Sequence, residues 1–273
     1  MSKSMIALIT GASSGIGATY ADRLAKRGYG LILVARDRAR LESLKERLRS
    51  ETGEPIDVLP ADLTKKTDLL QVEARLRSDP DIAMLVNNAG VGVAGPMLTS
   101  DSDRLESMVQ LNSVVPMRLA RAAVEGFSSR GRGTLINISS VLALAPEMFN
   151  GAYSGTKSFL LNLTLALNAE LQGKGVRVQA VLPGATRTEF FERAGTNVNA
   201  FPAEMVMEVG EMVDAALSGL DQGELVTIPS LPDVVDWQHF EAARQALGPN
   251  LSRSNAAARY CNGVSTDQPQ DLT

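Results

Sequence analysis

The chain has 273 residues, of which 44% are hydrophobic, a length that supports one large domain or two small ones. Its 27 lysines and arginines against 31 aspartates and glutamates are mixed along the chain, so no basic run indicates a nucleic acid or an anionic membrane as a partner. A single cysteine, Cys261, excludes an intramolecular disulfide, and with only one histidine, His239, we expect no metal site of soft ligands. The apolar run at residues 5–9 is too short for a signal peptide and no run of about 20 apolar residues spans a bilayer, so we expect a soluble cytoplasmic protein.

Seven short apolar runs are typical of strands, and several are nearly continuous in valine, isoleucine and leucine, as in strands buried on both faces. They lie at residues 6–10, 31–34, 56–59, 83–87, 134–139, 176–182 and 225–228. Helical patterns alternate with them at residues 15–27, 38–50, 65–77, 103–127, 153–172 and 203–220, the first ending at Gly28 and the second following a possible Asp37 cap. This alternation predicts an α/β fold with a doubly wound parallel sheet of about seven strands and helices on both faces.

No internal boundary divides this pattern, so we expect one catalytic domain over residues 1–273, with its core at about 5–229. The C-terminal extension, residues 230–273, follows Pro229, has Pro232 near its start and contains a possible short helix at 237–245. Its serine-, aspartate- and glutamine-rich end predicts a poorly ordered tail.

The segment T-G-A-S-S-G-I-G, residues 10–17, links the first strand to the first helix. Its glycines, Gly11, Gly15 and Gly17, remove Cβ atoms where a dinucleotide would approach the backbone. The N-terminus of the following helix favours a pyrophosphate through its free N–H groups and dipole. The spacing also fits a tight strand-to-helix turn with no ligand, so a dinucleotide site needs support from elsewhere in the chain.

The same letters contain G-x-S-x-G, which in hydrolases presents a serine nucleophile, here Ser13. This alternative is disfavoured because, in such hydrolases, the loop that supplies the second oxyanion donor normally precedes the nucleophile, whereas Ser13 closely follows the first predicted strand. His239, beside Trp237 and Phe240, is also the only histidine that could act as its base.

Further motifs fall mostly at the predicted carboxyl ends of later strands, where open α/β sheets bind their ligands. They are Asn87-Asn88-Ala89-Gly90, Ser139-Ser140, Tyr153-x-x-x-Lys157 and Pro183-Gly184 with Thr188 beyond. Tyr153 and Lys157 are four residues apart and share a helix face. A neighbouring ammonium favours the phenolate and would prepare Tyr153 for proton transfer, while a serine hydroxyl could hold the substrate oxygen.

Together with Asp62-Leu63 and Asn112, these motifs resemble the short-chain dehydrogenase/reductase family, in its compact single-domain branch, over about residues 5–229. The resemblance implies a Rossmann-type fold and a general acid/base, Tyr153. It also implies that Ser140 orients the carbonyl or alcohol, that Lys157 lowers the tyrosine pKa and holds the nicotinamide ribose, and that Asn112 supports a water-linked proton relay. Ser140 is chosen over Ser139 because its separation from Tyr153 fits the family.

The candidate cofactor-binding residues combine the glycine loop with positions that the resemblance implies, among them Asp62 and Leu63 beside the adenine and Thr188 near the carboxamide. They are Gly11, Ser13, Ser14, Gly15, Ile16, Gly17, Arg36, Asp62, Leu63, Asn88, Ala89, Gly90, Tyr153, Lys157, Pro183, Gly184 and Thr188.

The choice of cofactor depends on the end of the second strand. Asp37 lies twenty residues after Gly17, the distance at which an acid commonly binds the ribose 2′-hydroxyl of NAD, whereas Arg36 could grip the 2′-phosphate of NADP. Ala35 stands at the strand end, where NAD-preferring relatives usually have an acid, and Asp37 can cap the next helix instead. We therefore expect NADP(H) to be preferred, with NAD(H) as the alternative.

Pro116, within the predicted helix 103–127, leaves one backbone carbonyl of that helix without its hydrogen-bond donor. Pro116 lies four residues after Asn112 and has no N–H, so the Asn112 carbonyl loses its helical donor and could hold a water. The alternative is a simple proline kink.

Apolar residues surround the expected site and favour a ketone or secondary alcohol with a hydrocarbon part. They are Val91, Val93, Val141, Leu142, Leu144, Met148, Phe190 and Phe191. The lid segment, residues 186–201, contains Gly195, Asn197 and Asn199 and is predicted to be a mobile loop over the site. The alternative is an ordinary surface loop, which has the same composition. A non-catalytic dinucleotide-binding regulator is the other alternative, and it would need no tyrosine proton donor.

The predicted helix 153–172 is apolar nearly all round at residues 158–167. A helix packed only on its own sheet would keep a polar face, so we expect a second copy of the chain to cover it. A homodimer or homotetramer follows, unless the helix is buried within one chain.

Overall fold

The computed structural model describes residues 5–260. Within that range the strands are β1 (Ile6–Thr10), β2 (Gly30–Ala35), β3 (Ile56–Pro60), β4 (Ile82–Asn87), β5 (Gly133–Ile138), β6 (Val176–Val181), β7 (Ala185–Arg187), β8 (Val206–Glu208) and β9 (Val226–Thr227). The helices are α1 (Gly15–Lys26), α2 (Arg38–Thr52), α3 (Lys66–Ser78), α4 (Ser102–Val109), α5 (Val115–Arg130), α6 (Gly151–Glu170), α7 (Phe190–Ala194), α8 (Val209–Asp221) and α9 (Val234–Ala246).

Seven strands form one parallel sheet in the order β3-β2-β1-β4-β5-β6-β9. The order reverses direction between β1 and β4, which opens a crevice at the carboxyl ends of these strands. Successive β1 residues face opposite layers: Ile9 packs with α1 and α8, and Leu8 packs with α3 and α5. The predicted fold class, a Rossmann-type doubly wound sheet with helices on both faces, is confirmed.

The predicted helix at 103–127 is divided in the structure. Its first part, α4, passes through a π-helical turn at Gln110–Val114 before α5 begins. Pro116 cannot donate to the carbonyl four residues earlier, and a wider turn is one way for a helix to accommodate that loss.

The predicted helix at 203–220 begins later, at Val209, because the residues before it form β8, which pairs in parallel with β7. The short helix α7, inside the lid segment, was not predicted. Each of these pieces has three to five residues, too few for a periodic pattern to stand out.

The chain divides into two compact units, one ending at Ser230 and one beginning at Leu231. The first corresponds to the predicted core, and the predicted helix 237–245 lies within α9. The expected single domain stays a prediction, and Cys261 and the rest of the predicted tail lie outside the described residues. No helix within residues 5–260 has the length and hydropathy to cross a membrane, and no cluster of metal-ligating side chains occurs there.

Candidate active site

A cavity of about 1070 Å³ lies at the carboxyl edge of the sheet. It brings together nearly all of the residues that the sequence singled out, from loops far apart in the chain. They are Gly11, Ser13, Ser14, Gly15, Ile16, Arg36, Asp62, Leu63, Asn88, Ala89, Gly90, Ser140, Tyr153, Lys157, Pro183, Gly184 and Thr188. Gly17 and Asn112 do not line it.

The glycine loop follows β1 and is packed too closely for side chains. Gly11 has φ +66°, and a Cβ there would lie 2.7 Å from the Asn88 amide nitrogen. A Cβ on Gly17 would lie 2.4 Å from the Gly11 carbonyl oxygen, so Gly17 shapes the loop from beneath. Ser14 precedes α1 without capping it through its side chain, and no acidic residue lies in the first turn. The N-terminus of α1 is therefore available to an anion at the cavity wall.

Thr10 and Asn88 fasten this loop to the segment after β4. The Thr10 hydroxyl accepts hydrogen bonds from the Asn88 and Ala89 backbone N–H groups, both at 3.0 Å. The Asn88 side chain donates in return to the Thr10 carbonyl at 2.9 Å. This reciprocal pairing explains why T-G and N-N-A-G occur together: each motif holds the other in place.

Tyr153 and Lys157 lie on the first two turns of α6, which Asn150 caps by accepting from the Ala152 N–H at 3.0 Å. Both side chains are buried. The Lys157 Nζ lies 5.6 Å from the Tyr153 ring centre and donates to the Ile138 carbonyl at 2.9 Å. The helix and the end of β5 thus hold the ammonium beside the phenol.

Burial governs the ionisation of both groups. It lowers the pKa of Lys157 to about 8, because the charged form loses solvation. Burial also raises the pKa of Tyr153 above its usual value, and a hydrogen bond with the Ser140 hydroxyl opposes that rise. The sequence interpretation assigned the lowering of the tyrosine pKa to Lys157; in the structure Ser140 is the opposing group and burial outweighs it.

The two adjacent serines have different surroundings. The Ser139 hydroxyl donates to the Lys157 backbone carbonyl at 2.7 Å and so anchors α6 to β5. Ser140 accepts from the Leu142 N–H at 3.2 Å and is the serine that lowers the Tyr153 pKa. The geometry therefore supports choosing Ser140 as the serine that works with Tyr153.

Asn112 is buried in the π-helical turn beneath the cavity. Its side chain accepts from the Val91 N–H at 2.9 Å and donates to the Val91 carbonyl at 2.8 Å. It thereby holds the segment after β4, a contact that the sequence did not reveal. The predicted water relay at its backbone carbonyl stays a prediction.

Charged side chains line the other end of the cavity, at the carboxyl end of β2. Asp37 caps α2 by accepting from the Arg40 N–H at 3.0 Å, which is the structural role weighed against NAD binding. Arg36 is exposed on the cavity wall and forms no direct ion pair within residues 5–260. Arg40, Glu189 and Arg193 also line this end and were missed, because only the fold brings α2 beside the lid segment.

The apolar wall is partly as predicted. Val91, Val141, Leu142, Met148, Phe190 and Phe191 line the cavity, whereas Val93 and Leu144 do not. Val93 packs behind the wall with Met108 and Tyr153.

An aromatic row completes this wall. Phe149 meets the Tyr153 ring edge-on at 5.4 Å, and Phe190 lies 5.8 Å from the same ring. Phe191 and Phe201 continue the row within the lid segment. Phe149 was missed because it lies before the Asn150 cap of α6, so no helical spacing connects it with Tyr153.

Comparison with known proteins identifies the family of the chain. The family model for short chain dehydrogenases matches residues 5–199. A short-chain dehydrogenase from Sphingobium yanoikuyae, in complex with NADPH, has a TM-score of 0.91 and 49% identity over 94% of this chain and 99% of its own. The bulky-bulky ketone specific alcohol dehydrogenase from Comamonas testosteroni, in its orthorhombic crystals, has a TM-score of 0.86 and 48% identity over 94% and 98%.

A curated relative is more distant. The 17-beta-hydroxysteroid dehydrogenase type 3 of Homo sapiens is 31% identical over 88% of this chain and 79% of that protein. The match of the family model over most of the chain, on a fold with the expected strand order, leads to one conclusion: the chain belongs to the short-chain dehydrogenase family and is an oxidoreductase acting on CH–OH or C=O groups.

Proposed function

We propose that the protein is an NADP(H)-dependent oxidoreductase that interconverts a bulky ketone and its secondary alcohol, with Tyr153 as general acid/base. The observation that carries the proposal is the cluster of Tyr153, Ser140 and Lys157 in the same cavity as the glycine loop. A non-catalytic binding module would need the loop alone.

The cavity fits a dinucleotide. Gly11 and Gly15 line the cavity and have no side chain, so the backbone of the glycine loop is open to a ligand there, and a Cβ on Gly15 would lie 3.2 Å from the Thr188 side chain. The glycine loop and the α1 N-terminus would hold the pyrophosphate, and Lys157 the nicotinamide ribose. The bound cofactor would supply or accept the hydride.

The chain's own residues would manage the proton. The Tyr153 hydroxyl is protonated at neutral pH even with the ordinary tyrosine pKa, and burial raises that pKa further, so the hydroxyl can donate to a carbonyl oxygen during reduction. The Ser140 hydroxyl would hold that oxygen beside the phenol. Lys157, buried and cationic below a pKa of about 8, would stabilise the negative charge that develops on Tyr153.

Arg36 supports a preference for NADP(H) over NAD(H). Its guanidinium lines the cavity without an ion-pair partner there, and β2 ends on Ala35, which offers no acid to a ribose hydroxyl. A related structure is in complex with NADPH. One carboxylate oxygen of Asp37 caps the start of α2, which disfavours its binding of a ribose hydroxyl as in NAD-dependent enzymes.

The aromatic wall supports a substrate with large groups on both sides of the carbonyl. Phe149 and Phe190 flank the Tyr153 ring, and methionines 205 and 207 extend the apolar lining. A relative is described as specific for bulky-bulky ketones. Apolar burial of two such groups would supply binding energy that a small ketone lacks.

The Ser13 hydrolase alternative finds no support. Ser13 instead belongs to the loop that faces the cavity.

We also propose that α6 contacts a second copy of the chain, giving a homodimer or homotetramer. Phe159 on α6 is exposed, beside Val109 and Met117 on the neighbouring helices, and together they line a shallow apolar hollow of about 480 Å³. Adjacent exposed apolar side chains are typical of an interface. The cytoplasmic location stays a prediction.

The test is NADPH oxidation by the purified protein with a panel of ketones of graded size. Aryl ketones that are bulky on both sides should be reduced faster than acetone, and NADPH should serve better than NADH. Cofactor binding without turnover of any ketone would favour the regulatory module, and ester hydrolysis would favour the Ser13 alternative.

A further inference from the structure

An ion pair joins the two walls of the charged end of the cavity. The Arg40 guanidinium, on the first turn of α2, donates to both carboxylate oxygens of Glu189 at 3.0 and 2.8 Å. Glu189 precedes α7 in the lid segment, and both side chains line the cavity. The pair therefore ties the lid segment to α2 across the place proposed for the adenosine ribose.

The carboxylate of Glu189 is held in its charged form. Its hydrogen bond with Arg40 and its direct ion pair with Arg193 lower its pKa, so it is an anion at neutral pH. The Arg40 and Glu189 side chains are 47% and 45% exposed, and ion pairs of such exposure are weak and easily exchanged. Another anion that enters the cavity could therefore replace Glu189 as the ion-pair partner of Arg40.

The lid segment connects this ion pair directly to the catalytic end. Phe190, the residue after Glu189, packs against the Tyr153 ring at 5.8 Å. The Ala94 N–H donates to the Ala194 carbonyl at 3.0 Å, which fixes the far end of α7 to the segment after β4. Two consecutive residues thus face the two ends of one cavity.

We propose that Glu189 and the 2′-phosphate of the cofactor compete for Arg40, so that a phosphate-bearing cofactor releases the lid segment from α2. The inference rests on the proposed function and adds a determinant of cofactor response to it. A phosphate carries up to two negative charges and three acceptor oxygens, and binds a guanidinium more strongly than one carboxylate does. NADH has no 2′-phosphate and leaves the Arg40–Glu189 pair intact.

Titration calorimetry with NADPH and with NADH tests the competition. Glu189→Gln removes the competing anion, and the exchange of one exposed ion pair corresponds to about a two- to fivefold tighter Kd for NADPH. The Kd for NADH should stay the same. The matched control is Glu208→Gln, which removes a carboxylate paired with Arg187 that does not line the cavity, and it should change neither constant.

The Arg40→Ala background tests whether Glu189 acts by pairing with Arg40 or only by repelling the cofactor through its own negative charge. If Glu189 acts through Arg40, Glu189→Gln brings no gain once Arg40 is gone. A gain that persists in Arg40→Ala, or an equal gain for NADH, would overturn the proposal. A wild-type protein that binds neither cofactor would instead contradict the proposed function, so the two failures are distinguishable.

Hydrogen exchange measures the release of the lid segment itself. Amides of residues 190–196 should exchange faster in the NADPH-saturated protein than in the NADH-saturated protein, and Glu189→Gln should abolish that difference. Equal exchange in the two wild-type complexes would contradict the release.

Discussion

The two ends of the cavity differ in how deeply their functional side chains are buried. At the catalytic end, Tyr153 and Lys157 are buried, Lys157 donates to a backbone carbonyl and the Tyr153 ring packs against aromatic rings. At the charged end, Arg36 and Arg40 are exposed at the cavity mouth. Burial shifts pKa values and fixes geometry, whereas exposed charges bind adjustably and weakly. Changes at the first end should therefore alter chemistry, and changes at the second should alter affinity.

The largest expected effect is at the catalytic end. Tyr153→Phe removes the proton donor and should reduce turnover by about 10²–10⁴-fold, the usual contribution of a general acid/base. NADPH should still bind, because the ring and its contacts with Phe149 and Phe190 remain. Tyr29→Phe, on a tyrosine outside the cavity, is the control, and steady-state kinetics with calorimetry gives both values. Turnover within a few-fold of wild type would remove Tyr153 from the mechanism.

At the charged end, Arg36→Ala should weaken NADPH by about ten- to a hundredfold, since a hydrogen bond to a charged group contributes about 1.5–3 kcal/mol. NADH should be much less affected. Arg38→Ala removes a neighbouring charge that pairs with Glu42 outside the cavity, and it should leave both dissociation constants unchanged. Equal weakening of both cofactors by Arg36→Ala would contradict phosphate recognition and point back to Asp37.

The pH profile should distinguish the buried end from the exposed one. Reduction needs protonated Tyr153, whose raised pKa keeps it so at neutral pH, and cationic Lys157, whose pKa is about 8. The kcat/KM for ketone reduction should therefore be level at neutral pH and fall as the pH rises through about 8. Lys174→Met, on a lysine outside the cavity, should keep the same profile. A rate that stays constant well above that pH would contradict the role of Lys157.

The smallest effect on the site should come from the proposed subunit contact. Phe159→Glu places a charge on the apolar surface of α6 and should shift the mass in light scattering from a multiple of 29.1 kDa towards that value. Phe240→Glu changes another exposed phenylalanine, on α9, and is the control. A wild-type protein of 29.1 kDa at micromolar concentration would exclude the oligomer.

Features of the fold and of the site that depend on local sequence patterns could be predicted from the sequence. Continuous apolar runs located all seven sheet strands to within one residue at each end, and motifs at strand ends located Tyr153, Ser140 and the glycine loop. The seventh, β9, is shorter than its run because only Val226 and Thr227 pair with β6.

The missed features depend on contacts that no local pattern encodes. Strands β7 and β8 have three residues each, and the pair of Arg40 and Glu189 joins side chains 149 positions apart. Pro116 indicated an irregular turn at Asn112, because it removes the helical donor of the Asn112 carbonyl. The side-chain bonds from Asn112 to Val91 could not be predicted, because they depend on how the helix packs beneath the loop.

Direct transfer of hydride is the central claim, and isotope labelling tests it. The wild-type protein is incubated with NADPH deuterated at both C4 positions and a ketone carrying an aryl group on each side of the carbonyl. We expect an alcohol with one deuterium on the carbinol carbon, and continued reduction when Ser13 is replaced by alanine. The absence of labelled alcohol with every ketone of the panel, together with ester hydrolysis that Ser13→Ala abolishes, would contradict it.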